Sequence, residues 1–428
     1  MNHRTEPPNH RTKPTALVAT FVLFLAGCGS PSVPQAPDLG QTPQPEVSES
    51  ASTADGHGAI TGVAEMAEPQ LHLVAIDAEG ETSMVDLLNG TQSRLGRVES
   101  PVDVSTDGRY VFAVGNTGVE IVDSGAWTWD HVDHFHYYRA DPRNIGKVDG
   151  EGAATIATGM LSTAGTTGMF FPTSGEAVLL ENASLSGGTI SETLRIKTKP
   201  HAGLMAPLGE GAVVTESDDD GNAVRLRAID GKGKELSSTE CRSAAGAITT
   251  RVGLVIGCSD GAVIATTEGT TAVFERVPYP AGAAAPATEF NGRKGRPTVA
   301  GLSPDSGAWL LNTRQRTWEW LPTATPVIAA ATADDAGHHV VVIGTDGTVQ
   351  VYDASTRKLI AGTKPLVAAS LAEPVYADKI RLTVDAQRAY VNAPAEGLVY
   401  EIDYADDARI ARTLELPTKP VHVVETGR

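Results

Sequence analysis

The chain has 428 residues, 41% hydrophobic and 20% charged, with 52 acidic side chains against 34 basic ones and a formal charge of −18. A chain this acidic is a poor partner for nucleic acid, and charge does not draw it to an anionic lipid surface. Acidity suits cations, but it also serves plain solubility and names no ligand by itself.

Arg4, Arg11 and Lys13 precede an apolar run from Ala16 to Leu25. The run is too short for a permanent transmembrane helix, and its basic flank and small-residue exit predict a secretory signal over residues 1–27. Leu25-Ala26-Gly27-Cys28 is similar to a bacterial lipobox, in which the cysteine carries the lipid (palmitate among its acyl groups) and becomes the first mature residue. The alternative is an ordinary signal peptide with an incidental cysteine. The expected location is extracytoplasmic, as a lipoprotein on the outer leaflet of the cytoplasmic membrane. The signal holds three bases and one acid (Glu6), a net +2, so its removal takes the charge from −18 to −20.

Residues 28–66 are rich in Pro, Ser, Thr, Gln and Gly. They carry too little apolar surface to offset ordering entropy, which predicts a flexible tether holding one histidine, His57. With Cys28 lipidated, only Cys241 and Cys258 remain. An even pair in an oxidising compartment reads as a disulfide; a pair of thiolate metal ligands is the alternative, disfavoured because exported thiols oxidise.

Residues 67–428 show almost no helical periodicity. Short β-rich runs recur with Gly, Asn and Asp turns between them, as in Asp335 to Leu359, where Asp346-Gly347 joins two strands. Opening turns at Asp107, Ser174, Glu210, Arg251, Asp305, Asp335 and Asp385 are spaced by about 46 residues on average. That is the length of a propeller blade, and with a unit near Leu71 it predicts an all-β fold: one β-propeller of seven or eight four-stranded blades, WD or quinoprotein-like. A pair of β-sandwiches is the competing architecture, but no central linker divides the region. Trp318 and Trp320 share a strand face and are assigned to packing, and Asp218-Asp219-Asp220-Gly221 to a hairpin turn, because the downstream acidic ligands of a calcium loop are missing.

The interval from Asp107 to Ser174 is too long for a blade and predicts a functional ornament. It contains Asp130 to Tyr138, DHVDHFHYY, with three of the eleven histidines. Imidazoles and carboxylates in one short stretch suit a borderline divalent metal such as zinc. On an extended segment His134 and His136 share a face, whereas His131 joins them only if the chain bends near Val132 and Asp133. His201, in Lys199-Pro200-His201, is the best remote candidate for a further ligand. A solvated loop, or buried hydrogen-bonded histidines, is the bland reading of the same residues. His338 and His339 abut an apolar strand, and His72 and His422 lie within strands; all four read more readily as structural.

The HVDHFHYYR stretch, the KPHAG segment, and CRSAAGA followed by GLVIGCSDGAV resemble the AztD-type extracytoplasmic zinc metallochaperones. The resemblance runs from about Leu71 to the end of the chain. It implies a β-propeller that binds zinc and passes it to the solute-binding protein of a zinc ABC importer. It further implies a zinc site containing His131, His134 and His136, His201 as a further ligand, and a bond between Cys241 and Cys258. The chain departs from the family in having Ala244 and Ala245 where a histidine is expected after the first cysteine, and in a histidine-poor N-terminal arm. A carboxylate, Asp133 or Asp103, would then complete the site or support a histidine from behind. The expected state is a monomer, not an enzyme, that meets the membrane only through its lipid. Two other classes compete. A metal-dependent propeller hydrolase of the lactonase kind would use Asp130 or Glu151 as base, and an envelope scaffold would not need metal.

Overall fold

The computed structural model describes residues 58–131 and 133–428; the signal segment, Cys28, His57 and Val132 lie outside the described residues. Eight four-stranded antiparallel sheets follow one another around a ring, with one additional three-stranded sheet. The blade count left open at seven or eight is therefore eight among the described residues.

Seven blades take their strands consecutively from the chain, apart from the ornament in blade 2. Blade 1 is completed from both ends of the propeller: His422–Thr426 pairs antiparallel with His72–Ile76, His72 opposite Thr426 and Ile76 opposite His422. This closure holds the ring shut with a full strand ladder.

The middle strands show why the sequence reads as it does. Blade strands such as Tyr110–Val114 and Leu254–Cys258 are buried at every position, because each blade is covered on both faces by its neighbours. Alternate residues therefore serve different interfaces. Val74 and Ile76 pack with Val104, Val111 and Val122 of blade 2, whereas Leu73 and Ala75 pack with Tyr390 and Val399 of blade 8. The core is thus spread over the blade interfaces. Truncating a member such as Phe112, fully buried between blades 2 and 3, should cost about 3–5 kcal/mol.

The recurrent aspartates are turn devices. Asp107 Oδ1 accepts the backbone N–H groups of Arg109 and Tyr110, and Asp385 Oδ1 those of Gln387 and Arg388. Asp335 likewise accepts the His339 N–H at 3.0 Å. Asp218 closes its hairpin in the same way, accepting the N–H groups of Asp220 and Asn222.

Cys241 and Cys258 form a disulfide. It joins the exit of the last strand of blade 4 to the second strand of blade 5, inside the core that these blades share. A bridge between residues 17 apart contributes about 3 kcal/mol in the chain-entropy account. Trp318 and Trp320 pack with Trp309 and, in the case of Trp318, with Tyr279 in and around the interface of blades 5 and 6.

The overlong interval is an inserted hairpin. After the third strand of blade 2 (Gly118–Asp123) the chain forms strands Ala126–Asp130 and Phe135–Arg139, then returns as the fourth blade strand, Arg143–Asp149. Ala64–Met66 adds a third strand to this hairpin, with Glu65 opposite Tyr138. Those three residues belong to the sheet and not to a tether, a correction to the boundary at residue 66. Their composition gives no strand signal; pairing with the hairpin edge supplies it.

Candidate metal centre

The hairpin is fixed at its root. Arg109, 1% exposed, makes a two-pronged bond to Asp123 at 2.9 and 2.8 Å, and its guanidinium lies 3.8 Å from the centroid of Trp127. Trp127 stacks on Tyr138 across the hairpin at 5.2 Å and donates its indole N–H to the Gly58 carbonyl. Arg139 donates to Asp86 in blade 1 at 3.0 Å, and Thr128 to the Gly427 carbonyl at 2.7 Å. Asp130 pairs with Arg251 in the first turn of blade 5. The hairpin is therefore tied to blades 1, 2 and 5.

Cross-strand register gives it two faces. Trp129 stands opposite His136 and Trp127 opposite Tyr138; Thr128 stands opposite Tyr137 and Asp130 opposite Phe135. Directly paired residues share a face, so one face carries Trp127, Trp129 and His136. The other carries Thr128, Asp130, Phe135 and Tyr137.

At the tip the His131 N–H donates to the His134 carbonyl at 2.9 Å. This tight turn supplies the bend that His131 requires. Its ring stacks on His134 with centroids 4.8 Å apart and meets His136 edge-on at 5.4 Å. One ligand atom from each of the three histidines lies within 4.8 Å of the others. Among the described residues this is the group of histidines, cysteines and carboxylates arranged to hold a metal ion.

The His134 and His136 Nε2 atoms are 3.0 Å apart. Behind them, His134 Nδ1 donates to Asp133 at 2.9 Å and His136 Nδ1 to Glu65 at 2.6 Å. With each Nδ1 proton so engaged, the Nε2 lone pairs point at one place, where a proton or a cation must separate them. Carboxylates that hold ligand imidazoles from behind are a recurrent feature of zinc sites. Four ligands around zinc at about 2.0–2.1 Å stand a little over 3 Å from one another, which fits this pair. Hydrogen bonding from His134 holds the Asp133 carboxyl below the usual carboxylate range. The His134 side chain is 54% exposed and that of His136 23%, so the centre opens to solvent.

His201 is not brought to this group. In an antiparallel blade the first and third turns leave one face of the ring, and the second turn and the link to the next blade leave the other. The hairpin sits in the third turn of blade 2, whereas His201 lies in the link from blade 3 to blade 4. It is buried there, donating from Nδ1 to the Lys199 carbonyl at 2.7 Å, accepting from Thr215 at Nε2 at 2.8 Å, and packing edge-on to Phe170. Asp103 begins the innermost strand of blade 2 at that opposite end and pairs with Arg381 at 2.9 Å. Neither is placed as a ligand. Glu151 also falls in an inter-blade link, and Asp130 is committed to Arg251. Sequence reasoning missed Glu65 altogether.

Three other histidines, His339, His72 and His422, have structural settings. His339 donates from Nδ1 to Asp335 at 2.6 Å, His72 to the Gln70 carbonyl at 2.8 Å, and burial pushes the His422 imidazole down to about 4.

No protein-family model and no curated protein matches the chain. Its fold is similar to a crystal structure of Citrobacter koseri AztD, with a TM-score of 0.72 and 18% identity over 84% of this chain and 98% of that one. It is similar to apo AztD from the same organism at the same TM-score and 19% identity. The dihydro-heme d1 dehydrogenase NirN is more distant, with a TM-score of 0.52 and 13% identity over 84% of this chain and 75% of that one. The chain has an AztD-type β-propeller fold.

Proposed function

We propose that this chain is an extracytoplasmic zinc metallochaperone that delivers its ion to the solute-binding protein of an ABC importer. The observation that carries the reading is the convergence of His131, His134 and His136 on an exposed hairpin tip, two of them backed by carboxylates. Three imidazoles leave the fourth zinc position for water or for a ligand from a docked acceptor. Histidine ligation lets the ion pass by exchange of one ligand at a time. The cargo role is supported by the solvent exposure of the histidine tip and by the similarity to AztD in fold.

A hydrolase would use the same open position with a nearby base. Asp130 is held in an ion pair with Arg251, which argues against it in that role. The lipobox-like Cys28 supports a carrier held by lipid on the outer leaflet of the cytoplasmic membrane, where the importer's binding protein operates.

The test is transfer. Protein loaded with one zinc is mixed with a metal-free zinc-binding protein of an ABC importer, and the two are separated and analysed for metal. Zinc should reach the acceptor faster than it is released to a small chelator that does not dock. Transfer no faster than release removes the chaperone reading.

A further inference from the structure

The mouth-side face of the hairpin covers a cavity of about 420 Å³ at one end of the propeller channel. Its charge is opposite to that of the chain. Five cations line it, Arg251, Arg293, Lys294, Arg296 and Arg428, against two carboxylates, Asp130 and Asp385. The lining side chains therefore sum to +3 within a protein whose side chains sum to −18.

Three of the cations are already engaged. Arg251 pairs with Asp130, Arg428 lies 3.2 Å from Glu425, and Lys294 donates to the main-chain oxygens of Asp107 and Arg428 at 2.6 and 3.2 Å. Arg293 and Arg296 differ. They stand in the first turn of blade 6, in Asn291-Gly292-Arg293-Lys294-Gly295-Arg296, and their guanidinium groups have no ion pair or hydrogen bond among the described residues. Burial, then the charge of Arg296, pushes Arg293 below the usual arginine range. The nearest acids do not neutralise it by contact: Asp335 is taken by His339, and Asp385 by backbone N–H groups. Two half-buried guanidinium groups that repel each other in one cavity form a receptor for an anion.

The remaining wall gives the class. Phe135, 49% exposed, stacks with Tyr137 over the cavity, and Met160, Leu161 and Leu71 add apolar surface. A bare inorganic oxyanion has no use for that wall, whereas an organic acid with several carboxylates can meet both parts. We propose that this cavity is a binding site for a small polycarboxylate, clamped by Arg293 and Arg296 beneath the metal-bearing hairpin. The site is separate from the imidazole centre, which occupies the other face of the same two strands.

The experiment is calorimetric titration of the metal-free, full-length protein with citrate, and separately with inorganic phosphate. Citrate should bind saturably at one site, more tightly than phosphate, and more weakly as salt rises. The Arg293→Gln/Arg296→Gln double variant removes two charge-assisted clamps and should bind at least about tenfold more weakly. A control, Arg242→Gln/Arg276→Gln, removes the same charge from elsewhere and should stay within about twofold. Arg293 and Arg296 stand in a turn between strands and not within a strand ladder, and an unchanged melting curve verifies the fold. Absence of saturable citrate binding, phosphate binding tighter than citrate, or wild-type affinity in the Arg293/Arg296 variant overturns the proposal.

Discussion

Glu65 and His136 meet at 2.6 Å, although 71 positions separate them in the chain. The contact exists because Ala64–Met66 pairs with Tyr137, Tyr138 and Arg139, placing Glu65 beside the imidazole. A carboxylate in that position fixes which ring nitrogen keeps the proton and makes the other a better ligand. Glu65→Gln should therefore weaken zinc binding by about 10–100-fold while leaving the melting temperature nearly unchanged. Competition with a chromophoric chelator measures the first and a thermal scan the second. Unaltered affinity would show that Glu65 does not support the site.

His201 makes the opposite prediction. Both ring nitrogens are satisfied inside the protein, and Thr215 also receives the Leu204 N–H. His201→Ala should cost about 1–3 kcal/mol in denaturant unfolding by opening this buried network. Zinc stoichiometry and affinity should be those of the wild type. A loss of zinc affinity in a folded His201→Ala protein would return His201 to the ligand set.

Arg109 joins blade stability to the hairpin. Its side chain and that of Asp123 are each 1% exposed, so Arg109→Met takes the two-pronged partner from a buried carboxylate and leaves it only the Arg143 guanidinium at 3.5 Å and the Gly125 N–H. The expected loss is about 3–5 kcal/mol, well above that of removing a surface ion pair. Trp127 also loses the guanidinium against its ring, so the hairpin should loosen. Urea titration gives the stability, and hydrogen exchange over residues 126–139 reports the hairpin. A loss below about 1 kcal/mol would contradict the buried-pair account.

His422 sets a pH dependence with a defined sign. Burial lowers its folded value to about 4, against an ordinary 6.5. Between these values the unfolded chain binds a proton that the folded chain refuses, so stability falls on acidification from about 6.5 to about 4 and is level above that window. The contribution is at most about 3 kcal/mol. Glu425, raised to about 8 by burial, works in the opposite direction, so wild type must be compared with a single variant. His422→Asn should lose less stability than wild type between pH 7 and pH 5 in urea unfolding. Equal losses would remove His422 as a source of the slope.

The propeller was legible because its signals are local. Each blade repeats an apolar strand pair, and aspartates at Asp107, Asp335 and Asp385 cap the next backbone amides. The histidine tip was legible too, since His131, His134 and His136 meet through one tight turn. What failed to show was set by distant parts of the chain. Glu65 acquires its role only by pairing with a strand some 70 residues on, and its own segment reads as linker. His201 was misplaced because the face on which a blade connection emerges depends on its place in the strand order. That order could have been counted: an inter-blade link and a third turn lie at opposite ends of the ring.

The most direct measurement is zinc stoichiometry and affinity of the full-length protein, taken by competition titration and elemental analysis, for wild type and for His134→Ala/His136→Ala. The proposed function predicts one tightly held zinc per chain in the wild type and its loss in the double variant, with the fold intact by circular dichroism. A wild-type protein that retains no zinc, or a double variant that binds it as tightly as before, would contradict the assignment of the metal centre.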